Sequence, residues 1–256
     1  MKDKVCVITG STSGIGRGIA DHFARLGARV VVHGRNVERG EAAVKAIKGA
    51  GGEAFFVAAD LKDEASCRAL ITKTIERYGQ IDVLVNNAAD TTRGTIESTK
   101  MDLFDALIAQ NLRAPFILMQ EAVIHMKPRR SGSIVNIGSV NAYIGEPKLC
   151  AYSVSKGGLM TLTKNTSSLL NQYRIRVNQI NVGWTETEGE HKVKTEGEGL
   201  GPEWLEEAVK TRPFGRLLLP HDIAYAAAYF ASDESECVTG SIMDLEQYPV
   251  GAPPNW

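Results

Sequence analysis

The chain has 256 residues, with 29 Lys and Arg against 30 Asp and Glu and a formal net charge of −1. So even a balance, with the basic residues dispersed, gives no long-range pull toward nucleic acid or an acidic membrane surface. Cys6, Cys67, Cys150 and Cys237 lie far apart, with no C-x-x-C and no Cys/His cluster, which argues against a disulfide framework or metal centre and for reduced thiols in the cytoplasm. No apolar run approaches the about 20 residues of a membrane span, and MKDKVCVITG enters a strand with no room for a cleaved leader.

Val5 to Thr9 is a short β-branched run that reads as a central parallel strand buried on both faces. Gly10, Gly14 and Gly16 follow, then a helical stripe of Ile19, Ala20, Phe23 and Leu26 that Gly27 stops. A second strand, Arg29 to His33, leads into a polar helix over Asn36 to Lys48 and the turn Gly49 to Gly52. The third unit has a strand at Ala54 to Ala59 and a helix from Asp63 to Tyr78 closed by Gly79, and a fourth strand runs from Ile81 to Val85. A long helix is expected from Lys100 to Met126, kinked at Pro115, before a strand at Ser133 to Gly138 and a helix opening near Tyr152. Strand six spans Ile175 to Ile180 and a polar loop runs from Asn181 to Gly201. Helices at Pro202 to Lys210 and Asp222 to Ala231, a strand at Ser241 to Leu245 and an irregular GAPPNW tail complete the series. Strands that alternate with helices imply one α/β domain over residues 1–256, a Rossmann-type doubly wound parallel sheet of about seven strands.

The glycine turn after the first strand is the first chemical signal. Without side chains its backbone can approach a pyrophosphate, and the helix opening at Gly14 aims free N–H groups and a positive dipole end at that anion. The same glycines also suit a purely structural turn. The second strand ends His33-Gly34-Arg35-Asn36 with no acid to bond a ribose 2′-hydroxyl, and Arg35 can fork onto a 2′-phosphate, so NADP(H) is preferred with NAD possible. Asp60, followed by Leu61, is placed to bond an adenine edge, or else to cap a helix. Asn86 and Asn87 fall at the carboxyl end of a strand, where side-chain hydrogen bonds would hold neighbouring strand ends together. Asn111 inside a helix needs a partner, a backbone carbonyl or a water leading to Lys156, and the two roles can coexist. Tyr152 and Lys156 are four residues apart at a helix start, so they share a face, and an ammonium there favours the phenolate.

Taken together, T-G-x-x-x-G-I-G at Thr9 to Gly16, N-N-A at Asn86 to Ala88, Asn111, Ser139 and Y-S-V-S-K at Tyr152 to Lys156 resemble the short-chain dehydrogenase/reductase family, in its order and spacing over essentially the whole chain. The resemblance implies hydride transfer between a nicotinamide cofactor and a secondary alcohol or ketone. In it Tyr152 is the general acid/base, Ser139 bonds the substrate oxygen, Lys156 lowers the Tyr pKa and holds the nicotinamide ribose, and Asn111 anchors a relay water. The cofactor contacts it implies are Gly10, Ser11, Ser13, Gly14, Ile15, Gly16, Arg35, Asp60, Leu61, Asn87, Ala88, Tyr152, Lys156, Gly183, Thr185 and Thr187. It also implies a homo-oligomer, a tetramer or dimer, for which Ala151, Ser155, Gly157, Gly158 and the Ala-rich helix Ile223 to Ala231 would allow close contact, as would an internal core.

Three positions depart from the family pattern. Ala89 stands where Gly is common, which would tighten the floor under the nicotinamide, and Val182-Gly183 replaces Pro-Gly. Asp244-Leu245-Glu246-Gln247 replaces a glycine pair, which would place bulk and charge near a subunit contact. The segment of about 183–210 reads as a mobile lid by composition, in which Trp184 offers a flat face and Glu186, Glu188 or His191 could bond hydroxyls. A sugar or polyol suits this loop better than a long acyl chain, although solvated charges would read the same way. Two other roles are a nicotinamide-binding sensor or scaffold, and an epimerase or dehydratase that uses the nicotinamide transiently.

Overall fold

The computed structural model describes residues 1–143 and 145–251, so the tail beyond Gly251 lies outside the described residues. Seven strands form one sheet: β1 (Val5–Ile8), β2 (Arg29–Gly34), β3 (Glu53–Ala58), β4 (Val83–Asn86), β5 (Gly132–Ser139), β6 (Ile175–Val182) and β7 (Ile242–Leu245). Their order is β3-β2-β1-β4-β5-β6-β7, and every neighbouring pair is parallel. The chain winds outward from β1 in one direction and then, from β4, in the other, so a crevice opens at the carboxyl ends of β1 and β4.

Both faces of the sheet are covered, which is why its strands read as unbroken apolar runs. Cys6 and Ile8 join a core with α1 (Gly14–Arg25), α2 (Val37–Gly49) and α9 (Pro220–Ala231), while Val5 and Val7 join the core of the opposite face with α3 (Glu64–Tyr78) and α5 (Ala114–Arg129). Helix α6 (Cys150–Leu170) lies across β5 and β6, seated by a chain of buried amides and hydroxyls. Asn86 Nδ2 donates to Asn136 Oδ1 at 2.8 Å, and Asn136 Nδ2 donates to Thr163 Oγ1 of α6 at 2.8 Å. Thr163 Oγ1 meets Gln179 Oε1 at 3.0 Å, Gln179 Nε2 donates to Asn181 Oδ1 at 2.7 Å, and Asn181 Nδ2 donates to Asp244 Oδ1 at 3.0 Å. Each link satisfies a polar group that burial would otherwise penalise, so the network fixes the helix relative to four strands.

Three sequence expectations change. The helix over Lys100 to Met126 is interrupted: α4 (Met101–Ile108) passes through a π-helical turn, Ala109–Arg113, into α5, with Pro115 in the first turn of α5. The widened turn, rather than a proline kink, is the irregularity, and it carries Asn111. The loop from Asn181 to Gly201 is largely ordered, since β6 extends to Val182 and α7 (Glu188–Lys192) and a second π turn (Val193–Gly197) follow. Thr187 caps α7 by accepting from Glu190 N at 3.0 Å, and pairs four residues apart, Glu188 with Lys192 and Lys194 with Glu198, support it at 2.9 Å each. The small residues of α6 and α9 pack inside the subunit: Ala151 and Ser155 are buried, a Cβ on Gly158 would meet Leu112, and Ile223, Ala224 and Ala227 are buried in the core that α9 shares with α1.

Candidate active site

The glycine turn sits in the crevice between β1 and β4. Gly10 has φ +63, and a Cβ there would lie 2.9 Å from Ala88 Cα, so only glycine lets the turn lean against the end of β4. Asn87 Nδ2 donates to Thr9 O at 2.9 Å and to Gly10 O at 3.3 Å, while Asn86 is tied to β5, so both asparagines hold strand ends together. His33, 3 % exposed, pins the turn from β2: Gly10 N–H donates to Nδ1 at 3.0 Å, which leaves Nε2–H to donate to Ala59 O at 3.2 Å. Acceptance from Gly10 N–H requires a neutral ring, and burial lowers its pKa to about 4 against the raising effect of the bond to Ala59 O. Ser13 precedes α1 without using its side chain as a cap, and no acid occupies the first turn, so the N–H groups of that turn remain for an anion.

Two clefts extend from this turn and share Asn87, Ala89 and Thr91. The first, of about 590 Å³, is lined by Gly10, Thr12, Ser13, Arg35, Leu61, Lys62 and Ala88 among others. The second, of about 610 Å³, is where Ile15, Ser139, Tyr152, Lys156, Gly183, Trp184, Thr185 and Thr187 come together. A small-residue turn, an uncapped helix end and two joined clefts fit a dinucleotide laid across the carboxyl edge of the sheet.

In the second cleft Tyr152 occupies the first turn of α6 and Lys156 the next, as their spacing requires. Lys156 is 3 % exposed, its Nζ donates to Ile137 O at 2.7 Å, and it lies 5.6 Å from the centre of the Tyr152 ring. Burial lowers its pKa to about 8. Burial likewise pushes the Tyr152 phenol above its ordinary value; a hydrogen bond from Ser139 and the charge of Arg93 pull it down, and Glu190 raises it. The expected lowering by Lys156 is thus not what the chain alone displays, because the ammonium faces the Ile137 carbonyl and the ring rather than acting as the principal partner of the hydroxyl. Ser139 closes β5 and accepts from Asn141 N at 3.2 Å.

Residues 10–246 match the sequence model of a family described as enoyl-(acyl carrier protein) reductase. The chain is 40% identical over 245 residues to an uncharacterized oxidoreductase of Thermotoga maritima, which covers 95% of this chain and 96% of that one. It is 36% identical to an NADP-dependent (R)-specific alcohol dehydrogenase of Lentilactobacillus kefiri, with 94% of each covered. Levodione reductase superimposes on it with a TM-score of 0.91 at 30% identity, over 96% of this chain and 97% of that one. The chain belongs to the short-chain dehydrogenase/reductase family. It is a Rossmann-type oxidoreductase of the NAD(P)-dependent kind.

Within this dehydrogenase several residues differ from their expected places. Ser11 is buried away from the cleft, donating to Ile8 O at 2.7 Å and accepting from His33 N at 3.0 Å. Asp60 Oδ1 accepts from Lys62 N at 3.1 Å in a local turn, while the cap of α3 is Asp63, which accepts from Ser66 N at 2.8 Å. Both N–H groups of the Asn111 amide are engaged, Nδ2 donating to Asp90 O at 2.9 Å and Ser155 Oγ at 3.1 Å, and Oδ1 accepts from Asp90 N at 2.8 Å with one lone pair left over. No N–H is left on that side chain for a relay water. Gly14 lines a shallow outer groove together with Glu186, Glu188 and His191, outside the catalytic cleft. There His191 Nε2 lies 3.3 Å from Glu186, and Glu188 pairs with Arg39 and Lys192. The Trp184 indole is already engaged: Nε1–H donates to Glu190 at 2.9 Å, the ring stacks on Trp204 at 6.1 Å, and Lys194 and Arg212 lie over it. Sequence reasoning missed Thr12 and Lys62 in the first cleft and Arg93, Glu190, Lys194 and Glu246 in the second. Of these only Thr12 carries a local signal, because it lies inside the glycine turn.

The histidine pin has a pH consequence. With its folded pKa near 4, below the ordinary 6.5, neutral His33 stabilises the fold fully above pH 6.5, and that contribution is lost as pH falls toward 4. Complete loss amounts to roughly 3 kcal/mol. Urea unfolding of the cofactor-free chain between pH 7 and 4 should show this decline, and His33→Gln should be less stable at pH 7 with a flatter profile. An identical slope in both proteins would contradict the assignment.

Proposed function

We propose that the enzyme interconverts a secondary alcohol and a ketone on a polyhydroxylated small molecule, with Tyr152 as the general acid/base and NADP(H) preferred over NAD(H). The observation that carries the reading is the convergence of Tyr152, Ser139 and Lys156 in one cleft whose remaining walls are rich in charge. The dinucleotide supplies or accepts the hydride. The chain itself orients the reactants and handles the proton. The Tyr152 hydroxyl gives its proton to the carbonyl oxygen in reduction and recovers it in oxidation, and the Ser139 hydroxyl donates a hydrogen bond to the same oxygen. Lys156 stands within the same cleft with its charge toward the Ile137 carbonyl, where a ribose hydroxyl would complete its donor set. With both Asn111 N–H groups engaged, its part is to fasten the π turn to Asp90 and Ser155, and so to the base of Tyr152.

The cofactor preference rests on Arg35, which lines the first cleft at the end of β2 and makes no ion pair among the described residues. Lys62 lines the same cleft, 3.7 Å from Asp90. Two cations suit a 2′-phosphate. The polyol reading rests on the second cleft, where Arg93, Lys194, Glu146, Glu190 and Glu246 place five charged side chains among apolar walls of Ile15, Ile137, Val140, Leu149, Val182 and Trp184.

Tyr152→Phe should bind NADPH with unchanged affinity and turn over at least about 100-fold more slowly, the scale of a lost general acid; near-normal kcat would exclude the mechanism. Arg35→Ala should raise KM for NADPH by about ten-fold or more and change KM for NADH little, on the scale of one charge-assisted contact. Equal effects on both would remove the basis for the preference. Absorbance at the reduced-nicotinamide band, followed with polyols and with 2-alkanols of the same chain length, should favour the polyols.

A further inference from the structure

The last strand contributes a residue to the catalytic cleft. Glu246 follows β7 directly, and because Leu245 pairs with Val182 of β6, it emerges at the carboxyl edge of the sheet beside Gly183. A Cβ at Gly183 would collide with the Glu246 carboxylate, so the glycine makes the space that this side chain fills. The carboxylate lines the cleft with Ser139 and Tyr152. Its Oε1 accepts from Gln247 N at 2.6 Å, and its Oε2 lies 3.4 Å from Trp184 N. These backbone contacts hold it in place but leave lone pairs on both oxygens. Among the described residues it makes no ion pair, whereas the other carboxylate deep in the cleft, Glu190, is matched by Arg93 at 3.6 Å and Lys194 at 3.9 Å.

A half-buried carboxylate without a cation is a strong acceptor short of donors. The charges that line the cleft decide which donors suit it. Arg93, Lys156 and Lys194 balance Glu146, Glu190 and Glu246, so the cleft has no net charge for a cationic or anionic ligand to exploit, and an ammonium group would also meet three cations. Neutral hydroxyl groups can donate to Glu246 and accept from Arg93 or Lys194.

We infer that Glu246 is a specificity-determining residue whose carboxylate accepts hydrogen bonds from hydroxyls of a neutral polyol next to the reacting carbon. The inference rests on the polyol reading above and names the residue that enforces it. Turnover by the full-length enzyme with NADP+ is compared for the best of a panel of pentitols and hexitols and for the 2-alkanol of equal length. Glu246→Ala should lower the ratio of kcat/KM for polyol over 2-alkanol by about 10- to 100-fold, mostly through KM for the polyol. Glu246→Gln, which keeps an acceptor and the backbone contact, should lower the ratio less, by about three-fold or more, and it decides the matter if the alanine variant fails to fold. NADPH affinity, read by quenching of protein fluorescence, should stay within about two-fold of the parent.

An unchanged ratio in a parent enzyme that does prefer polyols would overturn the role of Glu246 alone. A parent that prefers 2-alkanols would overturn the polyol reading and this inference with it. Weakened NADPH binding with an unchanged ratio would move Glu246 to the nicotinamide carboxamide and overturn its role toward substrate.

Discussion

An amine carried into the protein interior with a single carbonyl for company is the constraint around which this site is built. Lys156 is almost wholly buried and its Nζ is held by Ile137 O at 2.7 Å, with no carboxylate partner among the described residues. Such a group is tolerated only where its surroundings are fixed, because an ammonium that shifts within a low-dielectric interior loses its sole acceptor. The fixing is done one turn and more along the same helix. Thr163 docks α6 onto Asn136 and Gln179, and the amide chain continues to β4 on one side and β7 on the other. A position in the catalytic cleft is therefore set by polar groups that never touch substrate.

The neighbouring phenol responds to the same burial in the opposite sense. Its pKa is raised while that of Lys156 is lowered to about 8, since desolvation disfavours whichever form is charged. In the chain alone the raised pKa keeps Tyr152 protonated at neutral pH, the form that a ketone reduction consumes. Ser139 and Arg93 oppose the rise and Glu190 adds to it, so two of the three groups that bias the hydroxyl belong to the loop after β4 and to the lid. Proton affinity at the reacting atom is thereby coupled to how the lid sits.

The features legible in the sequence were those enforced by backbone geometry. Glycines at Gly10 and Gly14 have positive φ, and the Tyr152 to Lys156 spacing follows from helical pitch, so both could be read without knowing what surrounds them. Fully apolar strands gave away a sheet covered on both faces, and all seven strands fall near their expected places. What was hidden depends on partners distant in sequence. That Asn111 is held by the Asp90 backbone and Ser155 depends on how distant parts of the chain come together. The helical character of residues 188–197 was masked by glycines, which are poor helix formers, and is recovered through ion pairs visible only once the helix exists.

The lid shows why chain-specific chemistry collects at the ends of strands. Its apolar cluster of Trp204, Ala208 and Leu217, with Trp184 and Leu205 against it, is small and separate from the two cores that flank the sheet. An element held by so few apolar contacts opens at lower free energy than the sheet beneath it. Backbone bonds to Leu218 and partly exposed ion pairs, Arg93 with Glu190 and Glu198 and Arg39 with Glu188, add to these contacts, each pair worth little in water but more once a ligand excludes solvent. Glu190 and Lys194 of the cleft ride on this lid, whereas Glu246 is anchored to the sheet through β7. A ligand bridging Glu246 and either Glu190 or Lys194 would tie the sheet to residues 188–197, so that binding would also fix where these side chains stand over the cleft.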